Sequence, residues 1–373
     1  MLFKDVCGER LSALGLGCMR FPTLDGDDGR IDEEKAGEIV RYAMEHGVNY
    51  YDTAWAYHKG QSEPVMGRIL RAYPRERFHL ASKFPGYSTE SLAKKEDIFS
   101  SQLERCQVGY FDFYLFHNVS DDNIDAYLDP QYGIIDYLRA QKAAGRIRHL
   151  GFSTHGSLET VERFLDAFPE AEFCQIQLNY MDWTFQRAAD KVALLRGRGI
   201  PVWVMEPVRG GRLASLEPEL DERLRAMRPD EGIPAWAFRF LQSIEGIGVV
   251  LSGMSNLEQV RDNIATMSES QPLSEAELAA LLETAQELCR RTAVPCTACH
   301  YCVVKCPQGL DIPALLALYN AQLNGESAAA SVAALPEDKR PQSCRACRSC
   351  EKVCPQQIKI AATLGQFSRL LHG

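Results

Sequence analysis

Short apolar runs recur along the first three-quarters of the chain, at Gly15–Met19, Val48–Tyr51, Phe78–Ser82, Phe111–Phe116, His149–Phe152, Phe173–Gln177, Pro201–Met205 and Ile247–Leu251. They are continuous rather than alternating, the pattern of strands buried on both faces of a parallel sheet. Stretches with apolar positions at helical spacing lie between them and predict helices over 32–46, 63–72, 88–106, 134–144, 158–168, 186–198, 234–243 and 257–267. Asp32 is placed to cap the first helix and Gly47 to close it. Eight strand–helix units within about 270 residues predict an α/β fold, a closed (β/α)8 TIM barrel. A doubly wound sheet is the alternative, but Gly15-Leu16-Gly17 stops at two glycines and opens no helix. Residues 1–13 lack helical periodicity and are expected to form a hairpin that plugs the barrel's bottom. Past Gln271, Ser274–Arg291 reads as one long helix opened by a Ser274–Glu277 capping box. The expected domains are a barrel over 1–270, a connecting helix over 271–294, and a small, mainly helical, cysteine-rich domain over 295–373.

In a parallel barrel the chemistry gathers where strands end. Here Asp52 with Tyr57, Lys83 and His117 follow consecutive strands. A free phenol, with a pKa of about 10, is a poor acid near neutrality. A lysine held charged by Asp52 is expected to lower the pKa of Tyr57 and stabilise its phenolate. If the barrel forms, His117 projects onto the same face. Asp52–Lys83 as a structural ion pair, with Tyr57 and His117 as core residues, is the other reading.

These residues, in the stretches Gly15-Leu16-Gly17, Asp52-Thr53-Ala54-x-x-Tyr57, Ser82-Lys83, Leu115-Phe116-His117, Gly151-Phe152-Ser153, Gln175 and Gly253 to Asn263, resemble the aldo-keto reductase superfamily. The resemblance covers roughly residues 1–270. It implies that Asp52, Tyr57, Lys83 and His117 are catalytic in the reduction of a carbonyl by hydride, Tyr57 giving the developing alkoxide its proton and His117 orienting the carbonyl oxygen, with a nicotinamide dinucleotide, NADP or NAD, held without a Rossmann motif. It places Ser153, Thr154 and Gln175 near the carboxamide, and Met19, Arg20 and Asp52 beside the cofactor. Met205, Pro207, Val208 and Gly210 would cover the pyrophosphate. Gly253, Met254, Ser255, Gln259 and Asn263 would surround the adenosine end, where a helix N-terminus near 256 favours an anion. The chain departs from the family at Thr154, where Asn is common, and at Met205, where an aromatic often stacks on the nicotinamide. Gly253, Asn256 and Gln259 supply no cation for a 2′-phosphate, so NADH and NADPH both stay open. Trp55, His58, Tyr87, His155, Trp183 and Phe185 are candidates for an apolar substrate pocket.

Thirteen cysteines change the picture. Cys296-x2-Cys299-x2-Cys302-x3-Cys306-Pro307 recurs 48 residues later as Cys344-x2-Cys347-x2-Cys350-x3-Cys354-Pro355. The doubled run has the spacing of two-cluster ferredoxins, in which each fourth cysteine serves the other cluster. One [4Fe–4S] cluster takes Cys296, Cys299, Cys302 and Cys354; the other takes Cys344, Cys347, Cys350 and Cys306. Zinc is the competing metal. The intervening helical pattern points to a helical ferredoxin-like module. Arg340, Arg345, Arg348 and Lys352 place positive charge around the second run, either to dock an acidic partner or as a solvated face.

The net charge of −9 argues against nucleic acid or an anionic membrane as partner. No apolar run approaches spanning length, and the N-terminus lacks a signal-peptide pattern, so a cytoplasmic location is expected. A hydride moves two electrons and a cluster one. Three readings follow. The chain is an NAD(P)H-dependent reductase of an aldehyde or ketone (or the reverse) whose clusters are structural or serve partner docking. Alternatively, its clusters exchange electrons with a ferredoxin, a flavoprotein or a bound flavin, for which no motif is present. In the third reading it is an electron-transfer subunit with an idle barrel.

Overall fold

The computed structural model describes residues 1–372, the side chain of His372 excepted. A hairpin of β1 (Phe3–Val6) and β2 (Glu9–Ser12) opens the chain, its two-residue turn formed by Cys7 and Gly8 in left-handed conformations, the geometry that matches strand twist. Eight parallel strands follow: β3 (Leu14–Gly17), β4 (Tyr50–Asp52), β5 (His79–Phe84), β6 (Phe111–Val119), β7 (Ile147–Thr154), β8 (Cys174–Gln177), β9 (Val202–Met205) and β10 (Ile247–Ser252). Each pairs with its neighbour in sequence, and β10 pairs with β3 to close the barrel. Eight of the nine residues of β6 are buried, as expected for a strand with the barrel interior on one side and helices on the other.

Large side chains fill the interior: Tyr50, Phe113, Leu115, Phe173, Trp203 and Leu251. Gly15 makes room for them, because a Cβ there would stand 2.7 Å from Leu251 and 3.2 Å from Tyr50. Leu11 of the hairpin joins this cluster from below, so the hairpin does plug the bottom. Asp32 caps helix Glu33–Glu45, its side chain accepting from Lys35 N at 3.2 Å. Ser274 and Glu277 form the capping box of helix Glu275–Arg290. The single helix expected over 88–106 is two, Thr89–Ala93 and Lys95–Cys106, broken at Lys94. Neither glycine nor proline marks the break. Tertiary packing imposes it: the first piece lies against helix Ile124–Leu128, whereas the second packs on β5.

The cysteine-rich region folds around its own core of Leu310, Ile312, Leu316, Ile360, Leu364 and Phe367, largely from helices Ile312–Leu323 and Ile360–His372. Its duplication reaches the backbone. Left-handed conformations at Ala298, His300 and Gly309 recur at Ala346, Arg348 and Gln357, each 48 residues on. No helix among the described residues is long and apolar enough to cross a membrane.

Candidate active site

The C-terminal ends of β4, β5 and β6 bring Asp52, Lys83 and His117 to one side of the barrel mouth, and Tyr57 reaches them from the tight turn 57–60, in which His58 and Lys59 are left-handed. Lys83 is fully buried. Its ammonium donates to Asp52 Oδ1 (2.5 Å), to the carbonyl of Thr53 (2.9 Å) and to Tyr57 Oη (3.2 Å). The rings of Tyr57 and His117 meet edge-on with centroids 6.0 Å apart. All four residues are buried. Burial pushes the Asp52 carboxyl up and the nearby Lys83 charge pulls it back.

The phenol departs from expectation. Burial, and then the Asp52 charge, hold the Tyr57 pKa well above its ordinary value rather than below it. In this arrangement the phenol keeps its proton at neutral pH. The Lys83 hydrogen bond acts when the proton leaves, by meeting the charge that appears on the oxygen. Burial and the same ammonium hold His117 well below its ordinary value, so the imidazole is neutral. Tyr87 hydrogen-bonds His117 Nδ1. With Tyr87 as donor, the tautomer is fixed with its proton on Nε2.

The supporting residues were not visible in the sequence. Glu63 is fully buried and accepts from Ser82 Oγ and Gln102 Nε2, both at 2.6 Å. Gln102 also donates to the Lys83 carbonyl (3.1 Å), pinning the end of β5. Tyr127 donates to the His117 carbonyl (2.8 Å) and accepts from Gly86 N (3.1 Å). Of the proposed pocket residues, Tyr87 reaches the site. His58 instead accepts from Phe21 N and pairs with Asp28, Trp55 lies under Arg105, and Trp183 packs on Phe240. Phe185 faces the Arg209 guanidinium. His155 is half-buried with an unpartnered Nδ1.

The residues expected at a dinucleotide occupy one continuous arc of the mouth. Ser153 Oγ accepts from Asn118 N (2.8 Å). Gln175 Oε1 is buried without a partner, which suits an amide of the nicotinamide kind, while its Nε2 meets Met205 Sδ (3.6 Å). Thr154 looks away: its hydroxyl donates to the Val119 carbonyl and accepts from Gly156 N. In the loop Met205–Gly211, Pro207 is buried and Val208 half-buried. Arg209 is anchored by a fully buried ion pair to Asp182 (3.1 Å), and Asp182 also accepts from Gln177 and Asn179. Arg20 lies across Gly253, where a Cβ would stand 3.1 Å from its chain, and its carbonyl accepts from Ser255 Oγ (2.7 Å). Met254 is buried. Gln259 Oε1 accepts from Ser255 N (2.7 Å), and Asn263 donates to Ser252 Oγ (3.1 Å). Asn256 caps helix Leu257–Thr266, leaving that end accessible.

The cysteines fall into two sets of four. Cys296, Cys299, Cys302 and Cys354 line one hollow, with Thr297, His300 and Gln356. Cys306, Cys344, Cys347 and Cys350 line the other, with Arg345 and Arg348. No three His, Cys, Asp or Glu among the described residues converge on a single ion. Ala298 N donates to Cys296 Sγ (3.4 Å), the type of contact that tunes a cluster.

The first hollow sits over the barrel mouth. Gln356 donates to Gln177 Oε1 (2.9 Å) and Gln357 to Asp121 (3.2 Å). Tyr301, between two of the cysteines, reaches Met19 Sδ (3.7 Å).

The profile of the aldo/keto reductase family matches residues 13–286, most of the chain. The chain belongs to this family. A profile described as a 4Fe-4S dicluster domain matches residues 295–359. L-galactose dehydrogenase of Arabidopsis thaliana is 26% identical over 75% of this chain and 93% of its own length. The NADH-specific methylglyoxal reductase of Escherichia coli is 23% identical, over 74% and 96%. Among solved structures, the holo form of a Bacillus halodurans aldo-keto reductase superimposes with a TM-score of 0.62 at 24% identity, over 76% of this chain and 96% of that one. A Klebsiella pneumoniae aldo/keto reductase solved with NADP and acetate gives 0.59 at 20%, over 74% and 91%. At such identities the structural likeness speaks for the fold. Family membership and the relatives support an NAD(P)-dependent oxidoreductase joined to an iron–sulfur region.

Proposed function

We propose that this aldo/keto reductase interconverts an aldehyde or ketone and its alcohol at Tyr57, with a nicotinamide dinucleotide as redox cofactor and two [4Fe–4S] clusters in the C-terminal module. The supporting observation is the Lys83 ammonium shared between Asp52 and the Tyr57 hydroxyl, 3.2 Å from the latter. The dinucleotide supplies the hydride. Tyr57 hands its proton to the carbonyl oxygen, Lys83 meets the charge left on the phenol, Asp52 keeps Lys83 in place, and the neutral His117 orients the carbonyl through Nε2–H. Gln175 and Ser153 are the groups suited to the carboxamide. Replacing Tyr57 with Phe removes the proton donor and leaves the ring; NAD(P)H-dependent reduction of methylglyoxal or 4-nitrobenzaldehyde is expected to fall at least 100-fold with the fold intact. Turnover within tenfold of the parent would sink this reading.

A second reading gives the clusters the electrons. It is favoured by the exposed Cys347 between the exposed Arg345 and Arg348. Residues 295–373 hold 8 Lys+Arg against 5 Asp+Glu, net +3, leaving 33 against 45, net −12, for the rest. Such a basic rim suits an acidic ferredoxin or flavoprotein. Under it, Cys347→Ser abolishes turnover with the barrel intact; under the first, it lowers stability and spares NAD(P)H-dependent turnover.

A further inference from the structure

The loop Met205–Gly211 has the construction of an anion receptor. Glu206, Arg209, Gly210 and Gly211 adopt φ of 59°, 49°, 65° and 97°; the N–H groups of Arg209 and Gly211 are used within this turn, on the carbonyls of Glu206 and Val208 (3.0 Å each), so the donors it can offer an anion are on side chains. The guanidinium of Arg209 is wholly buried, and its Nη1 has no partner. Arg20 stands on the other side, 3.7 Å from Glu206.

Three carbonyl oxygens from the stretch that opens the cluster module lie on this receptor. Pro295 O accepts from Arg209 Nη2 and Ala298 O from Arg20 Nη2, both at 3.4 Å. Thr297 O lies 1.9 Å from where a Cβ of Gly210 would be, so only glycine admits it. Carbonyl oxygens here take the positions that phosphate oxygens would seek. Their bonds to the arginines are long and therefore weak; a phosphate would make shorter, charge-assisted ones.

We propose that residues 295–298 and the pyrophosphate of a nicotinamide dinucleotide compete for this one receptor, so that the cluster module latches the cofactor groove. The proposal rests on the reductase reading above and adds its control. Cofactor binding lifts the stretch, and whatever holds the stretch down weakens cofactor binding by the same factor. Cys296 and Cys299 flank Thr297 and Ala298, so the cluster they are suited to hold fixes the latch.

The test loosens the module without touching the receptor. Gln356→Ala with Gln357→Ala removes the hydrogen bonds to Gln177, Gln186 and Asp121. Binding of NADH and NADPH to the cluster-loaded full-length protein is followed by tryptophan-to-nicotinamide energy transfer. Hydrogen–deuterium exchange is followed across 292–301. The double variant is expected to bind at least one dinucleotide roughly two- to tenfold more tightly per hydrogen bond removed. In the parent, the dinucleotide should speed exchange across 295–301. Equal, tight binding by both proteins with unchanged exchange overturns the latch and leaves the reductase. Failure of both proteins to bind either dinucleotide overturns the latch together with the reading beneath it.

Discussion

At the floor of the barrel, Leu11 of the hairpin is fully buried against a ring of Tyr50, Phe113, Phe173 and Trp203. At the mouth, the cluster module meets the barrel largely through polar groups: Gln356 on Gln177 and Gln186, Gln357 on Asp121, and the carbonyls of Pro295 and Ala298 on Arg209 and Arg20. Polar atoms beneath it lack partners: Asp52 Oδ2, Asn118 Oδ1, Gln175 Oε1, Glu206 Oε2 and Arg209 Nη1. An apolar closure excludes water and holds across conditions. A polar closure over unsatisfied groups can be exchanged for a ligand that satisfies them better. The floor is thus built as a permanent seal and the mouth as a removable one.

The largest expected effect breaks the floor. Leu11→Ala leaves a cavity under the aromatic ring and should cost about 2–5 kcal/mol. Thermal unfolding followed by circular dichroism checks it. A loss below about 1 kcal/mol would mean that the hairpin only rests on the barrel. Then the contrast between the two ends would vanish.

Much of this contrast was hidden in the sequence. The strand ends carrying Asp52, Lys83 and His117 were legible because apolar runs and their terminal residues are local. So was the cysteine duplication, since a 48-residue displacement needs no fold to be seen. The break at Lys94 was not, because packing imposes it without a breaker residue. Glu63 with Gln102, and Arg209 with Asp182, join residues 39 and 27 positions apart, and only the closed barrel brings them together. The direction of the Tyr57 shift failed for a related reason. The sequence names the charges near a phenol but not how deeply it is buried, and burial is the larger effect here.

A second prediction uses acid to separate the two ends. His117 has a folded pKa well below its ordinary value. The unfolded chain binds a proton at about 6.5 where the folded one does not. Its contribution to stability is therefore complete above that pH and declines as pH falls below it, by up to about 1.4 kcal/mol per unit. Urea midpoints measured between pH 7.5 and 5 should drop, and His117→Asn should flatten part of that drop. An identical slope in the variant would show that His117 is not held neutral at the mouth.

The smallest expected effect is the most direct probe of the removable end. Gln356 Nε2 donates to Gln177 Oε1 at 2.9 Å, and both side chains lie at the seam between module and barrel. Gln356→Ala removes that bond and the one Gln186 donates to it, and water can reach the half-buried seam to replace both. The global cost should be no more than about 0.5–1.5 kcal/mol, well under that of Leu11→Ala. Amide exchange should rise in the module's first cysteine run while that of β5 and β6 stays fixed, because local opening is drawn from the weakest contacts. If Gln356→Ala instead destabilises the whole protein as much as Leu11→Ala, the module is an integral wall of the barrel. It would then unfold with the barrel rather than lift from it.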